Sequence, residues 1–214
     1  MMDTTVQPAV VPWPELQFAL KRGLDVFLGS FLLILLAPVL LASCIAIRLT
    51  SPGKAVFSQL RWGLNESRFH CLKLRTMYVD QSRFQAVAQT ADRPGMLAKL
   101  RVDPRVTAVG RWLRKTSIDE FPQLLNVIRG EMSLVGPRPL VLHMLEPFPE
   151  IRRERCRFRP GITGLWQIRN REKNTSVLDM WDDDLEYIQN FSLWLDVKTL
   201  LATLPAVLSS RGAH

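Results

Sequence analysis

Two adjacent carboxylates, Asp119 and Glu120, stand in the stretch Arg114-Lys115-Thr116-Ser117-Ile118-Asp119-Glu120-Phe121-Pro122-Gln123. One acid of such a pair can act as a nucleophile while the other holds Mg²⁺, which prefers hard oxygen donors. The bland alternative is a capping box, Ser117-x-x-Glu120, which only satisfies amides at a helix start. Pro122 weighs against that alternative, because a helix begun at Ser117 would carry a proline beyond its favoured first position. A helix that begins nearer Pro122 leaves both acids at its mouth. There the divergence of about 100° between neighbouring helical residues no longer separates them.

Cations are dense around this pair: Lys73, Arg75, Arg101, Arg105, Arg111, Arg114, Lys115 and Arg138. Arginine forks suit phosphate oxygens, although a solvated surface charge is the commoner fate of any one of them. Arg138 stands apart. It follows Gly136 and lies between Pro137 and Pro139, which makes it a rigid, loop-borne cation. The series Arg152, Arg153, Arg155, Arg157 and Arg159 is too dense for one catalytic site and reads as a membrane-facing or substrate-channel patch, or equally as a solvated face.

The elements that must position these groups follow from pattern. Ala55–Gln59 and Phe69–Leu74 read as short strands around the turn Gly63-Leu64-Asn65. Residues 80–98 mix helix and loop. Pro122–Ile128 has helical spacing, with Gly130 as its stop. Residues 136–139 are irregular. Leu140–Leu145 and Pro149–Arg157 read as helices, and Phe158–Gly164 as a loop. Val177–Asn190 is an acid-rich helix, and Leu193–Leu208 is a helix with apolar residues on one face.

Val26–Ile47 runs without a charge, long enough for the roughly 20 apolar residues a bilayer core requires. Leu41-Ala42-Ser43-Cys44 resembles a lipoprotein cleavage box, but the preceding stretch carries Asp25 and the chain stays apolar after Cys44, unlike an export signal. Lys21 and Arg22 on one flank and Arg48 and Lys54 on the other mark both ends as cytoplasmic. Pro38 lies mid-run and removes a backbone donor. Together these predict a re-entrant helical hairpin rather than a spanning helix or a buried core helix. The expected organisation is a tail over 1–20, a re-entrant membrane helix over 21–50 and a catalytic domain over 51–214.

The chain has 214 residues, 47% hydrophobic and 22% charged, with a net charge of +8. That is one ordinary domain with an appendage, and too polar for a polytopic transporter. The basic excess lies in the middle of the chain and points to phosphate-bearing partners. Cys44, Cys71 and Cys156 show no paired spacing, and His70, His143 and His214 are scattered. Neither a disulfide framework, nor a zinc site, nor a histidine-based triad fits. A nucleic-acid binder is suggested only by net charge, without a docking motif or an aromatic–basic platform.

The series SPGKAVFSQLRWG, KLRTM, DPRVTAVGRWLRKTSIDEFPQLLNVIRGEMSLVGPRP, RPGITGLWQ and DDLEYIQNFSLWLDVKTL resembles the bacterial sugar transferase family, the monotopic phosphoglycosyl transferases, in its minimal catalytic form. The likeness runs in order from about Lys21 to the end. It implies a helix-rich α/β (α+β) cytoplasmic domain with an N-terminal re-entrant membrane hairpin and interfacial amphipathic helices. It also implies transfer of a sugar 1-phosphate from a UDP-sugar to polyprenyl (undecaprenyl) phosphate, with release of UMP through a covalent aspartyl phosphosugar. That is the opening step of exopolysaccharide, capsule, O-antigen or glycoconjugate assembly. The family's catalytic dyad falls on Asp119 and Glu120, with Glu120 associated with Mg²⁺. Its substrate- and phosphate-binding positions fall on Lys73, Arg75, Arg105, Pro137, Arg138, Pro139 and Asp184, and its hairpin proline on Pro38. Ala37-Pro38 stands where the family often has Ser-Pro. Leu165-Trp166-Gln167 looks more like members that use plain UDP-hexoses. The implied location is the cytoplasmic face of the bacterial inner membrane, with membrane lipids as partners, no nucleic acid, and the oligomeric state open. The alternative is an inactive membrane-attached protein that binds a nucleotide sugar or a lipid and regulates; intact Asp119, Glu120 and Arg138 argue against it.

Overall fold

A computed structural model describes residues 15–80, 82, 96–97, 103–170 and 175–208. Most of the expected tail, Arg101 and nearly all of the 80–98 segment lie outside the described residues.

Helix α1 spans Glu15–Thr50. Strands β1 (Val56–Trp62) and β2 (Arg68–Leu74) pair antiparallel, with Val56 opposite Leu74 and Trp62 opposite Arg68. The chain reverses where Asn65 adopts φ 53° and the Gly63 N–H bonds to Ser67 O. Both strands extend beyond, or start before, the spans expected from alternation. Strand β3 (Met96–Leu97) follows, then α2 (Ala108–Thr116). Ser117 stops α2 in the left-handed region, and its N–H caps Arg114 O. A single 3₁₀ turn, Ile118–Glu120, leads into α3 (Gln123–Arg129), which begins after Pro122 as the spacing predicts. Gly130 ends α3 at φ 87°, a conformation glycine takes without cost.

Strand β4 (Ser133–Val135) enters the Gly136–Pro139 loop and lies parallel to β5 (Gly161–Thr163). Residues 161–163 were expected as loop; a three-residue strand is too short to alternate, and its partner is distant in sequence. Between these strands lie α4 (Leu142–Leu145) and α5 (Pro149–Arg155). After β5 come α6 (Leu165–Arg169), β6 (Thr175–Ser176), α7 (Val177–Gln189) and α8 (Leu193–Leu208). A full capping box starts α7: Ser176 Oγ accepts from the Asp179 N–H, and the Asp179 carboxylate accepts from the Ser176 N–H. Strand β6 pairs antiparallel with β3.

The main core gathers Phe69, Leu124, Val127, Leu134, Phe158 and Tyr187, and α1 closes one side of it with Phe18, Leu28, Leu32 and Leu36. A second part of α1, through Leu40, Cys44 and Ile47, packs with Ala55, Leu74 and Leu113. The inward stripe therefore runs with helical period along nearly the whole element.

The segment expected to form a re-entrant hairpin is a single helical element. One helix runs from Glu15 to Thr50 with Pro38 inside it. A proline in a helix interior costs about 3 kcal/mol. Here the packing of Leu36 before it and Leu40 after it holds both halves to one domain. The opposite face of α1 is exposed and apolar, including Leu20, Leu24, Phe27, Phe31, Ile34 and Leu41. α1 is long and apolar enough to cross a membrane, and only 11% of its most apolar stretch is buried.

Candidate active site

The 3₁₀ turn between α2 and α3 presents Asp119 and Glu120 together, as an irregular helix entrance should. Ser117 makes no side-chain cap to this turn, so the capping-box alternative is not what the structure adopts. Glu120 receives two cations on one oxygen. Lys73 Nζ, from β2, lies 2.7 Å from Oε1, and Arg138 Nη2 lies 3.7 Å from the same atom. Asp119 lies toward Arg114: burial lowers the Arg114 guanidinium from its ordinary value, and the charges of Asp119 and Asp103 oppose that shift. Arg114 Nε also donates to Thr76 Oγ1 at 2.9 Å.

The loop carrying Arg138 is fixed from several sides. The Gly136 N–H bonds to Thr163 O, and the Gly161 N–H to Pro137 O. A Cβ on Gly136 would sit 2.4 Å from Arg159 O, so only glycine allows this approach. Arg61 Nη1, from β1, donates to Pro139 O at 3.1 Å. Arg155 Nη2 donates to Arg138 O at 2.7 Å. The Arg138 guanidinium lies over the Trp166 ring, 5.6 Å from its centroid. The result is a cationic wall of Lys73, Arg61 and Arg138 around Glu120. Burial pushes the Arg61 guanidinium down to about 10, with Cys71 and Glu120 opposing and Arg138 reinforcing the shift. Burial likewise raises the Cys71 thiol, against the pull of Lys73 and Arg61. A buried, uncharged thiol is packing rather than chemistry.

Of the expected site residues, the structure brings together Asp119, Glu120, Lys73 and Arg138, with Pro137 and Pro139 as the frame of the loop. It does not bring Arg75 to them. The Arg75 guanidinium donates to Lys54 O (2.7 Å), Ser51 O (2.9 Å) and Met77 O (3.4 Å), and so ties the end of α1 to the strands. Arg105 lays its fork on Asp103, with Nη2 2.8 Å from Oδ2. Asp184 is buried against Arg155 and belongs to the support of the Arg138 loop rather than to a surface a substrate meets. Pro38 lies inside α1, two residues before Leu40, which packs in one cluster with Ile118, the neighbour of Asp119.

The arginine series 152–159 is not one patch. Arg155 is buried, Arg152 pairs with Glu66 at 2.5 Å, Arg157 pairs with Glu154 at 2.9 Å, and Arg159 Nε donates to Gly130 O at 2.8 Å. Sequence reasoning missed Arg61 and the supporting role of Arg155. An arginine set between Leu60 and Trp62 in a strand is the signal that was available for Arg61.

Two adjacent hard-oxygen donors beside fixed cations suit the handling of phosphate charge, and fit Mg²⁺ in the way that ion is usually held, by one or two carboxylates plus substrate phosphates. Among the described residues no group of three or more His, Cys, Asp or Glu side chains forms an all-protein cage. The class defined by fold and site is therefore a phosphate-group transferase with one long apolar N-terminal helix. The chain belongs to the bacterial sugar transferase family, whose model matches residues 16–210. It is 44% identical to a UDP-glucose:undecaprenyl-phosphate glucose-1-phosphate transferase of Caulobacter vibrioides, over 91% of this chain and 72% of that protein. It is 41% identical to the exopolysaccharide production protein ExoY of Rhizobium meliloti, over 91% of this chain and 88% of that one. It is also 41% identical to an undecaprenyl-phosphate glucose phosphotransferase of Komagataeibacter xylinus, of which it spans 38%.

Proposed function

We propose that the chain transfers a sugar 1-phosphate from a UDP-sugar to polyprenyl phosphate at the inner membrane, on its cytoplasmic face. The Caulobacter relative makes UDP-glucose the first donor to try. The observation that carries this reading is the Asp119–Glu120 pair at the mouth of α3, with Glu120 held by Lys73 and Arg138.

An ordinary carboxylate is ionised at neutral pH and needs no base to become a nucleophile. A carboxylate oxygen of Asp119 attacks the sugar-bearing phosphorus of the donor. The bond from that phosphorus to the bridging oxygen breaks, and UMP leaves with the electron pair. An oxygen of polyprenyl phosphate then attacks the same phosphorus and frees Asp119, giving a polyprenyl diphosphate sugar. Arg138 and Lys73 supply fixed positive charge where negative charge gathers. Mg²⁺, held through Glu120 with Asp119 beside it, would neutralise phosphate charge on the donor.

Membrane attachment is supported by the exposed apolar faces of α1 and of α8, where Trp194, Leu201 and Leu204 lie outward. With UDP-glucose and Mg²⁺ but no acceptor, about one UMP per site is expected, with a sugar phosphate mapped to Asp119. Asp119→Asn removes both, because an amide of nearly the same shape is a poor nucleophile. UMP release that requires the acceptor, without an adduct at saturating donor, overturns the covalent route.

A further inference from the structure

Side chains of α1 and α7 meet at one backbone carbonyl, that of Val135 at the end of β4, three residues before Arg138. Lys21 Nζ, from α1, donates to Val135 O at 3.0 Å. Ser133 Oγ donates to the same oxygen at 2.9 Å. Tyr187, from α7, shares its one hydroxyl proton between Asp196 Oδ1 at 2.7 Å and Val135 O at 3.2 Å. Asp196, from α8, joins the two long side chains, because its Oδ2 also accepts from Lys21 Nζ at 2.5 Å.

The same peptide unit is held at its other end. The Gly136 N–H bonds to Thr163 O at 2.9 Å, and Thr163 Oγ1 lies 2.8 Å from Thr203 Oγ1 of α8. One residue earlier, the Leu134 N–H bonds to Asp25 Oδ1 of α1 at 3.0 Å. The Val135–Gly136 peptide is therefore fixed at both its oxygen and its nitrogen, and from it the Arg138 loop departs. Lys21 and Asp196 are each 7% exposed, and Tyr187 is 1% exposed. Burial raises the Asp196 carboxyl from its ordinary value, and Lys21 and the Tyr187 hydroxyl oppose that shift. A buried ion pair adds little stability over well-packed apolar residues, so stability alone does not account for this one. Its directed contact with the Val135 carbonyl does. The two helices that supply the pair, α1 and α8, are also those with exposed apolar outer faces.

We propose that Lys21, Asp196 and Tyr187 are positioning residues for the transfer site. They lock the Val135–Gly136 peptide and so aim Arg138 at Glu120. The lock is complete only when α1 and α8 are both seated on the domain, so the docking of these two helices is carried into the site. This role rests on the transfer reading of the Arg138–Glu120 contact.

The test uses the purified full chain in uncharged detergent. Three quantities are measured: melting temperature, amide hydrogen exchange, and UMP release from UDP-glucose with polyprenyl phosphate and Mg²⁺. Lys21→Met combined with Asp196→Leu removes the buried pair whole, a change that often leaves stability intact. The melting temperature should stay near that of the parent. Exchange should quicken over residues 134–136 and stay slow in α3. The kcat should fall roughly tenfold to a hundredfold, as for a group misplaced by a distant change, with KM for UDP-glucose altered less. Tyr187→Phe removes a single hydroxyl. It should move exchange and kcat in the same direction by less, and serves if the double replacement folds poorly. In an Arg138→Ala background the double replacement should lower kcat little further, because the residue it positions is already gone. Full kcat with stability kept reduces the cluster to packing and overturns the role. An equal further loss in the Arg138→Ala background shows action by another route and also overturns it. If the unmodified chain releases no UMP, the transfer reading falls and exchange over 134–136 decides alone: an unchanged rate in both variants overturns the lock.

Discussion

Asp184 tests what a residue's position in a motif says about its role. The sequence places an acid there, and the resemblance makes it part of the substrate-binding set. The structure surrounds it with protein and gives it Arg155, whose other terminal nitrogen holds Arg138 O. Removing one partner of a buried ion pair strands the other charge and costs about 3–5 kcal/mol. Asp184→Asn should therefore lower the melting temperature and the denaturant midpoint clearly, and depress kcat through the Arg138 loop. If Asp184 instead contacted the donor, stability would hold and KM for the UDP-sugar alone would rise. Arg75 and Arg105 carry the same lesson. A cation is legible in sequence, but the carbonyls of Ser51 and Lys54, or the carboxylate of Asp103, that occupy it are not. Asp119 and Glu120 were legible because local chemistry, a proline three residues after Asp119, already limits where α3 can start.

At the scale of elements, what was readable was what is local. The β1–β2 hairpin, α3 with its glycine stop, and the amphipathic α7 and α8 all come from spacing and turn residues. Strand β5 was not readable, because Gly161–Thr163 becomes a strand only by lying beside β4. That parallel pair is nonetheless what aims the Arg138 loop. Gly136→Ala would push a methyl group to 2.4 Å from Arg159 O and 3.0 Å from the Gly161 nitrogen, both backbone atoms with little room to move. Overpacking of this kind costs about 1–3 kcal/mol. The expected outcome is a lower melting temperature together with a lower kcat per folded molecule. A fall in stability with kcat intact would mean that the strand pair does not set the position of Arg138.

For the whole molecule, the decisive relation is between α1 and the domain it covers. A straight helix of 36 residues is about 54 Å long, and a bilayer core is roughly 30 Å thick. A spanning α1 would have to leave the domain over much of that length. Instead Lys21 bonds to Val135 O and Asp196 near one end, and Ile47 is buried with Leu74 and Leu113 near the other. One domain cannot occupy both sides of a membrane, so both ends of α1 should lie on the same face. Its outer stripe and that of α8 would then meet the lipid. The basic flanks and Pro38 lead to the same expected topology with a break at the proline as its cause; contacts on both sides of Pro38 supply a second cause. The two causes predict different outcomes for Pro38→Ala. If the proline sets the topology, its loss should move one end of α1 across the membrane in a fraction of molecules. If packing sets it, the variant should keep both ends together. Single cysteines at Glu15 and Ser58, with Cys44, Cys71 and Cys156 replaced, should both resist a membrane-impermeant thiol reagent in intact cells, with Pro38 or with alanine. Labelling at Glu15 alone, in either background, would show α1 spanning the bilayer and would place the packing of its inner stripe in a state the membrane does not allow.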